Sequence, residues 1–363
     1  MRVLFVSPNS WMYGAERSLL LAVKGLAAQG VEPVVLSRGP GLLVDTLIRE
    51  NIPTYAESYF CRSFRRPFSY LAWLRRFAKI VHQVRPDVIH CNDRDPSQFV
   101  VPVAWWSGVP FVCHVRNMTT ASSWQLHTGL SYWADRYVAN SEAMQDDLVR
   151  HGYDGTRIVR IYNPVDTSLF DLTRDRETTP TIGIVGQIEP RKGHDSLFSA
   201  LVSLSDLDWR CAVIGDLTES QDYTEKLHDQ LRAGGLSDRV DWAGYISDLD
   251  RIYVMIDVLA VPSVREPFGR VAAEAMASGI PVVAFAVDGL KEIVVHGETG
   301  FLVPSGDVDA LAEALRRLIE DPVLRREMGS RGRERARNLF GIDAHVGGLM
   351  DVYTQAIGGR RWK

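Results

Sequence analysis

Residues 258–284 read VLAVPSVREPFGRVAAEAMASGIPVVA, and this stretch decides the fold. An apolar run, VLAVPS, breaks into the polar loop REPFG. An alanine-rich stretch of helical period follows, and Ser278-Gly279 ends it before Pro281 opens a second apolar run. Runs that are apolar at nearly every residue belong to strands buried on both faces of a parallel sheet. The stretch is therefore one β–α–β unit. Glu266 lies in the loop after the first strand. Pro267 suits the first turn of a helix, where no N–H donor is needed. Phe268 and Gly269 would then offer backbone N–H groups at a positive helix end, a place for a phosphate. Glu274 falls one to two turns into the helix, ~6–8 Å along it at ~1.5 Å per residue. Two carboxylates are an odd choice for anion binding alone. They make sense if each accepts hydrogen bonds from hydroxyls, and a nucleotide sugar offers two polyols flanking a diphosphate. The alternative is an exposed helix with ordinary surface glutamates.

Working outward, the same alternation fills the chain. Strand-like runs occur at 2–7, 33–37, 87–92, 110–115 and 136–141, and again at 181–188, 210–216, 239–245, 258–263 and 281–286. Helix-period stretches separate them, among them 15–29, ended by Gly30, and 309–320 and 323–337. Alternating β and α units imply two doubly wound α/β domains with parallel sheets, which also agrees with 363 residues at about 150 per domain. The polar, proline-bounded segment 163–180 reads as the linker. The domains are thus expected at 1–170 and 180–342, with a final helix-like segment beyond them at about 343–357. In such sheets ligands bind outside the carboxyl ends of the strands.

Those strand ends supply the other candidates. VGQIEPRKGHDSL (185–197) is a strand end, a turn and a helix start near Gly193 to Asp195. Arg191 and Lys192 stand on that rim, and an Arg fork with a Lys point charge suits a diphosphate whose charge grows as its sugar departs. A solvated basic turn is the alternative. SPNSWMYGAERSLL (7–20) places Gly14 and Ala15 at a helix start, with Glu16 in the first turn. It lacks the GxGxxG dinucleotide pattern. His114, in PFVCHV, is expected to face the crevice and hydrogen-bond a sugar hydroxyl or carry a proton. A satisfied core histidine is the alternative, and for His90 the core is favoured.

Several classes are disfavoured. The net charge of −4 gives no global signal for nucleic acid. Cys61, Cys91, Cys113 and Cys211 form no CxxC pair and no zinc-spaced cluster with histidine. They read as small apolar residues of a reducing compartment. The opening apolar run stops at Ser7-Pro8, too short for a signal-peptide core. Proline and glycine interrupt residues 99–115, so no stretch reaches the ~20 apolar residues of a bilayer span. These features lead us to expect a cytoplasmic protein. Asp93-Arg94-Asp95 resembles an Asp-x-Asp metal site, but that site serves a one-domain architecture. Paired carboxylates also serve glycosidases, which have no use for Arg191, Lys192 and a phosphate-binding helix end.

Taken together, these residues resemble glycosyltransferase family 4, the retaining transferases of GT-B fold, over essentially the whole chain. Glu266 and Glu274 stand as that family's Glu-x7-Glu pair. The resemblance implies two Rossmann-like domains facing across a cleft, acceptor on the first and nucleotide-sugar donor on the second, with 343–363 packing back on the first. It implies that Glu266, Phe268, Gly269 and Arg270 hold the donor sugar region and Glu274 the ribose hydroxyls. Lys192 and Arg191 would hold the diphosphate, and Tyr245 and Ile246 the base, mainly through backbone. Gly14 and Ala15 match the N-terminal glycine loop, and His114 the cleft histidine. His114, Glu266, Lys192 and Arg191 are then the catalytic set. Two departures are Gln187, where many members have Arg, and Tyr13, in place of the loop's first glycine. The co-substrate implied is a UDP- or GDP-sugar, with no metal and no other cofactor. The acceptor would be a sugar, a lipid-linked molecule or a small molecule. A nucleotide-sugar epimerase and an inactive nucleotide-sugar-binding subunit are the competing readings.

Residues 59–85 carry Arg62, Arg65, Arg66, Arg75, Arg76, Lys79 and Arg85 with no acidic residue, interleaved with Phe60, Phe64, Phe68, Trp73 and Phe77. Such a segment can lie on an anionic membrane at the inner face. The alternative packs Leu71, Leu74, Ala78 and Val81 against the sheet and leaves the arginines solvated.

Overall fold

The structure is a computed structural model, and residues 1–58, 67–119, 130–167, 179–216 and 221–359 are described. Cys61, Phe60, Phe64, Arg62, Arg65, Arg66 and most of the expected linker lie outside them. The chain divides into two units, Met1–Pro164 with Ile342–Lys363, and Val165–Gly341.

Unit 1 holds a seven-stranded sheet in the order β3-β2-β1-β4-β5-β6-β7, every pair parallel. Its strands are β1 Arg2–Ser7, β2 Glu32–Ser37, β3 Thr54–Ala56, β4 Val88–Cys91, β5 Phe111–Val115, β6 Arg136–Ala139 and β7 Ile158–Arg160. Both faces are covered. Leu4 and Val6 pack with Trp73, Phe77 and Phe99 on one side, Val3 and Phe5 with Leu19, Leu349 and Tyr353 on the other. This two-sided burial is why the central strands read as unbroken apolar runs.

Unit 2 holds a six-stranded parallel sheet, β10-β9-β8-β11-β12-β13. Its strands are β8 Thr181–Val185, β9 Arg210–Ile214, β10 Val240–Gly244, β11 Val258–Val261, β12 Val282–Phe285 and β13 Gly300–Val303. The sequence patterns miss β3, β7 and β13. All three are edge strands of three or four residues, too short to form a distinctive run.

The helix Ile342–Gly358 belongs to unit 1 and packs beside Gly14–Ala28. Close approach of the two requires glycine at position 25. A Cβ there would stand 2.6 Å from Ile342 Cγ2 and 2.7 Å from Val346 Cγ2. His90 Nδ1 lies 2.7 Å from the Tyr353 hydroxyl, which ties this helix to β4.

The helix Pro67–Val84 corrects one expectation. Trp73 and Phe77 are buried against the sheet with Ile80, Val81 and Val84, whereas Leu71 faces outward. The three free cysteines among the described residues are buried, and burial pushes the Cys113 and Cys211 thiols up to about 12. They serve as small apolar side chains. No helix among the described residues is long and apolar enough to cross a membrane.

Overpacking the helix contact has a defined cost. Gly25→Leu is expected to lower stability by about 1–3 kcal/mol in urea unfolding. Gly347→Ala, on the same final helix with open space around it, should gain about 0.5–1 kcal/mol from backbone entropy. Equal stability of Gly25→Leu and wild type would contradict this packing.

Candidate functional site

Each sheet changes its direction of winding beside its first strand: between β1 and β4 in unit 1, and between β8 and β11 in unit 2. Such a switch point leaves a crevice at the carboxyl ends of the two strands. In unit 2 the turn after β8 carries Gln187, Arg191 and Lys192, and the loop after β11 carries Glu266 to Gly269.

These two loops meet. Lys192 Nζ donates to Glu266 Oε2 at 2.7 Å, and both side chains are largely buried, 15% and 13% exposed. Arg191 bonds Glu189 Oε1 at 2.5 Å and the Arg265 carbonyl at 3.2 Å. Its carbonyl accepts from the Val264 N–H at 3.0 Å. Gly193 permits the approach: its φ is 72°, and a Cβ would stand 2.0 Å from the Pro262 carbonyl oxygen. The Asp288 carboxylate accepts from the Glu266 N–H at 2.9 Å, and the Glu266 carbonyl accepts from the Gly289 N–H at 3.1 Å. The β11 loop is thus fixed from both sides.

The helix in the deciding stretch is Arg270–Ala277, capped by Gly269 at φ 96°. Pro267 is therefore not in its first turn, which corrects that expectation. A side chain at 269 would collide with Leu290, at 2.6 Å from Cβ to Cδ2. Phe268 is 3% exposed, its ring edge-on to Phe340, so its side chain packs the core and only its backbone is left for a ligand. Glu274 is 3% exposed rather than a surface residue. Its Oε2 accepts from the Tyr253 hydroxyl at 2.8 Å, and its Oε1 lies 2.7 Å from Arg270 Nε. A carboxylate oxygen has two lone pairs, so each keeps acceptor capacity.

Tyr245 and Ile246 follow β10 directly, Tyr245 exposed and Ile246 half-buried. Gln187 is exposed at the rim. In unit 1, Gly14 and Ala15 begin the helix after β1.

His114 is placed differently from the expectation. It lies within β5, fully buried, its ring stacked 5.9 Å from His345 and tilted against His90 at 5.5 Å. Burial, together with the Arg116 charge, holds it well below the usual histidine range. It is enclosed, yet neither ring nitrogen has a hydrogen-bond partner among the described residues, so it is not the satisfied core histidine of the alternative either. The residue that reaches the carboxyl edge of β5 is Arg116. Side chains alternate along a strand, so residue 116 continues the side that His114 occupies. Asp93 of the Asp-x-Asp stretch accepts from the Arg94 N–H at 2.7 Å and from Asn117 Nδ2 at 2.8 Å.

Sequence patterns did not point to Tyr253, Asp288 or Arg116, because each acts through a partner far away in the chain, nor to Glu189, which bonds Arg191 two residues on. His194 was also passed over. It follows Gly193 directly, is fully buried, and neither ring nitrogen has a hydrogen-bond partner among the described residues.

Two all-parallel Rossmann-like sheets, each with polar side chains gathered at its switch point, define the GT-B class. Anabaena HepE, solved in complex with UDP, has the same fold, with a TM-score of 0.86 at 24% identity over 98% of this chain and all of that one. A glycosyltransferase from Rickettsia africae aligns with a TM-score of 0.87 at 22% identity, over 98% of each chain. The chain belongs to glycosyltransferase family 4: that family's model matches residues 12–169, and the model for glycosyl transferases group 1 matches 168–335. It is similar to the D-inositol 3-phosphate glycosyltransferase of Salinispora tropica, 35% identical over 63% of this chain and 52% of that protein. It also resembles the lipopolysaccharide core biosynthesis mannosyltransferase LpcC of Rhizobium leguminosarum bv. viciae, 27% identical over 68% of this chain and 73% of that one. The chain spans little more than half the length of the inositol-phosphate relatives it matches.

His194 gives a pH test of the β8 turn. Burial, reinforced by Lys192, lowers its pKa to about 4, against about 6.5 in an unfolded chain. Between these values the unfolded state binds the extra proton, so stability falls as pH drops from 6.5 toward 4. Urea unfolding of His194→Leu should show a shallower fall over that interval than wild type. Identical slopes would rule out a buried neutral His194.

Proposed function

We propose that this chain is a retaining, metal-independent glycosyltransferase. It moves a hexose-type sugar from a UDP- or GDP-linked donor to an acceptor hydroxyl in bacterial glycan, glycolipid or glycoside biosynthesis. The observation that carries the reading is the Lys192–Glu266 pair at the β8/β11 switch point, with Arg191 beside it and Arg270–Glu274 behind. A cation and a carboxylate held together at a crevice match a ligand that places a diphosphate next to hydroxyls. The names of the relatives support it, with inositol phosphate and mannosyl chemistry among them, as does the UDP bound by HepE.

In this reading unit 2 takes the donor. Lys192 and Arg191 stabilise the charge that develops on the departing diphosphate. Glu266 accepts hydrogen bonds from the transferred sugar's hydroxyls, and Glu274 from the ribose. Tyr245 and Ile246 hold the base through backbone, with Gln187, Gly269 and Arg270 around the phosphates. Retention follows if the acceptor attacks on the face from which the diphosphate leaves, with a leaving phosphate oxygen taking the proton. His114, neutral and enclosed, has no step in this scheme.

Titration calorimetry with UDP, GDP, ADP and TDP tests the donor site. One nucleotide should bind, equally well in EDTA, and Glu274→Ala should weaken it by about 1–3 kcal/mol. If none binds, or the variant matches wild type, the donor site is misassigned; loss of binding in EDTA would remove the metal-independent part. Product analysis with and without acceptor separates transfer from epimerisation.

An anionic membrane partner is a separate proposal, carried by aromatic residues other than those first considered. Phe68 remains exposed, but Trp73 and Phe77 are buried. On the neighbouring helix Ser97–Ser107, Trp105 and Trp106 are exposed, as is Trp133 nearby. Tryptophans of this kind favour a membrane interface, and Arg75 and Lys79 of the helix Pro67–Val84 are exposed as well. Sedimentation with phosphatidylglycerol vesicles should fall with salt and with Trp105→Ser/Trp106→Ser. Undiminished binding by that variant would rule out the tryptophans as anchors.

A further inference from the structure

Glu274 is a carboxylate in an apolar setting. Ala272, Ala273 and Ala275 beside it on the helix Arg270–Ala277 are fully buried, and Glu274 is itself almost enclosed. A buried carboxylate needs hydrogen-bond donors in place of water. Arg270 Nε stands 2.7 Å from its Oε1, one turn earlier on the same helix. A second contact comes from outside the helix. Tyr253, fully buried, points its hydroxyl at Glu274 Oε2 at 2.8 Å, with the Val271 carbonyl a longer alternative acceptor at 3.3 Å. A phenol has one hydrogen to give, and the shorter bond, to a charged acceptor, is the stronger.

Tyr253 stands on a short helix, Leu249–Val254, that is pinned at both ends. At its start the Asp248 side chain accepts from the Asp250 and Arg251 N–H groups at 3.0 and 3.4 Å. Just past its end Ile256 lies against β8, so close that a Cβ on Gly183 would stand 2.4 Å from Ile256 Cγ2. The Asp257 N–H donates to the Thr181 carbonyl at 2.7 Å, and the Asp257 carboxylate accepts from the Thr181 N–H at 2.9 Å. The tyrosine hydroxyl is therefore a fixed point on the frame of the sheet. A glutamate has several rotatable bonds, and a carboxylate that chelates neighbouring hydroxyls must present both oxygens at once. With Oε2 held by Tyr253 and Oε1 facing Arg270, the carboxylate is oriented before any ligand arrives, and each oxygen keeps a lone pair.

We propose that Tyr253 is a positioning residue for the ribose of the donor nucleotide, its hydroxyl holding the Glu274 carboxylate in the orientation that accepts from two neighbouring hydroxyls. The proposal rests on unit 2 being the donor side of the transferase, where Glu274 meets the ribose. It adds a residue 21 positions earlier in the chain that acts only through that carboxylate.

The full chain is titrated with UDP and GDP, and whichever binds is compared with its 2′,3′-dideoxy analogue, which lacks both ribose hydroxyls. Wild type should prefer the ribonucleotide. If neither nucleotide binds, or the analogue binds as well, the donor reading itself falls and the role of Tyr253 falls with it. Tyr253→Phe should weaken the ribonucleotide roughly five- to tenfold, the effect of losing one bond to a charged group, and leave the analogue unchanged. Unchanged analogue binding also shows that the variant is folded. In a Glu274→Ala background the same substitution should add nothing, because the group it orients is gone. Should Tyr253→Phe not fold, 4-aminophenylalanine at position 253 keeps the ring and supplies a weaker donor, and it should give a smaller selective loss of the same kind. Equal weakening of ribonucleotide and analogue would reveal a packing role and overturn the proposal with the donor site intact. So would a loss that persists without Glu274, or a ribonucleotide affinity indifferent to the hydroxyl.

Discussion

The Lys192–Glu266 ion pair joins loops 74 residues apart in the chain, and the arrangement of unit 2 depends on the constraint behind it. A parallel sheet delivers those loops to one edge only if β8 and β11 are neighbours, which the β10-β9-β8-β11-β12-β13 order ensures. The approach then demands glycine at 193, because the backbone after β11 passes where a side chain would be. Asp288, from the next crossover, fixes the Glu266 amide. Ion pair, glycine contact and amide clamp all follow from that single adjacency. The donor-side chemistry is a property of the sheet order as much as of the residues.

Unit 1 repeats the topology with different chemistry. Its switch point gathers Glu16, Asn92 and Arg116 where unit 2 has Lys192 and Glu266. The halves share a winding pattern and no residue pattern, as expected when a fold sets where polar groups collect and the sequence sets which ones.

Most of the architecture was legible in the sequence, because central strands covered on both faces cannot avoid being apolar throughout. Ten of the strands announce themselves in this way, and Gly30 and Ser278-Gly279 mark helix ends where the structure has them. The edge strands Thr54–Ala56, Ile158–Arg160 and Gly300–Val303 do not, being only three or four residues long. Lys192, Glu266 and Glu274 were legible because they sit at fixed distances from strong strand and helix signals. The enclosure of His114 was not, because PFVCHV reads equally well as a strand that ends at the rim or one that stays buried. Arg116, two residues on, carries no pattern of its own. Its place comes from Asn92 and Asn163, to which its guanidinium donates and which only the folded sheet brings to it.

The final helix has a consequence for how the chain is made. Unit 2 is a continuous segment, and its last residue is followed by the helix that completes unit 1. Tyr353, Leu349 and Val352 fill the face of a sheet whose first strand is Arg2–Ser7. During synthesis, therefore, the first unit to be translated is the last to be finished. Its strands must wait with part of one apolar face uncovered, the part not taken by Gly14–Ala28 and Leu42–Arg49, while the whole of unit 2 emerges and closes. That interval is when a nascent chain is most exposed to aggregation, and its length is set by the translation time of the inserted unit.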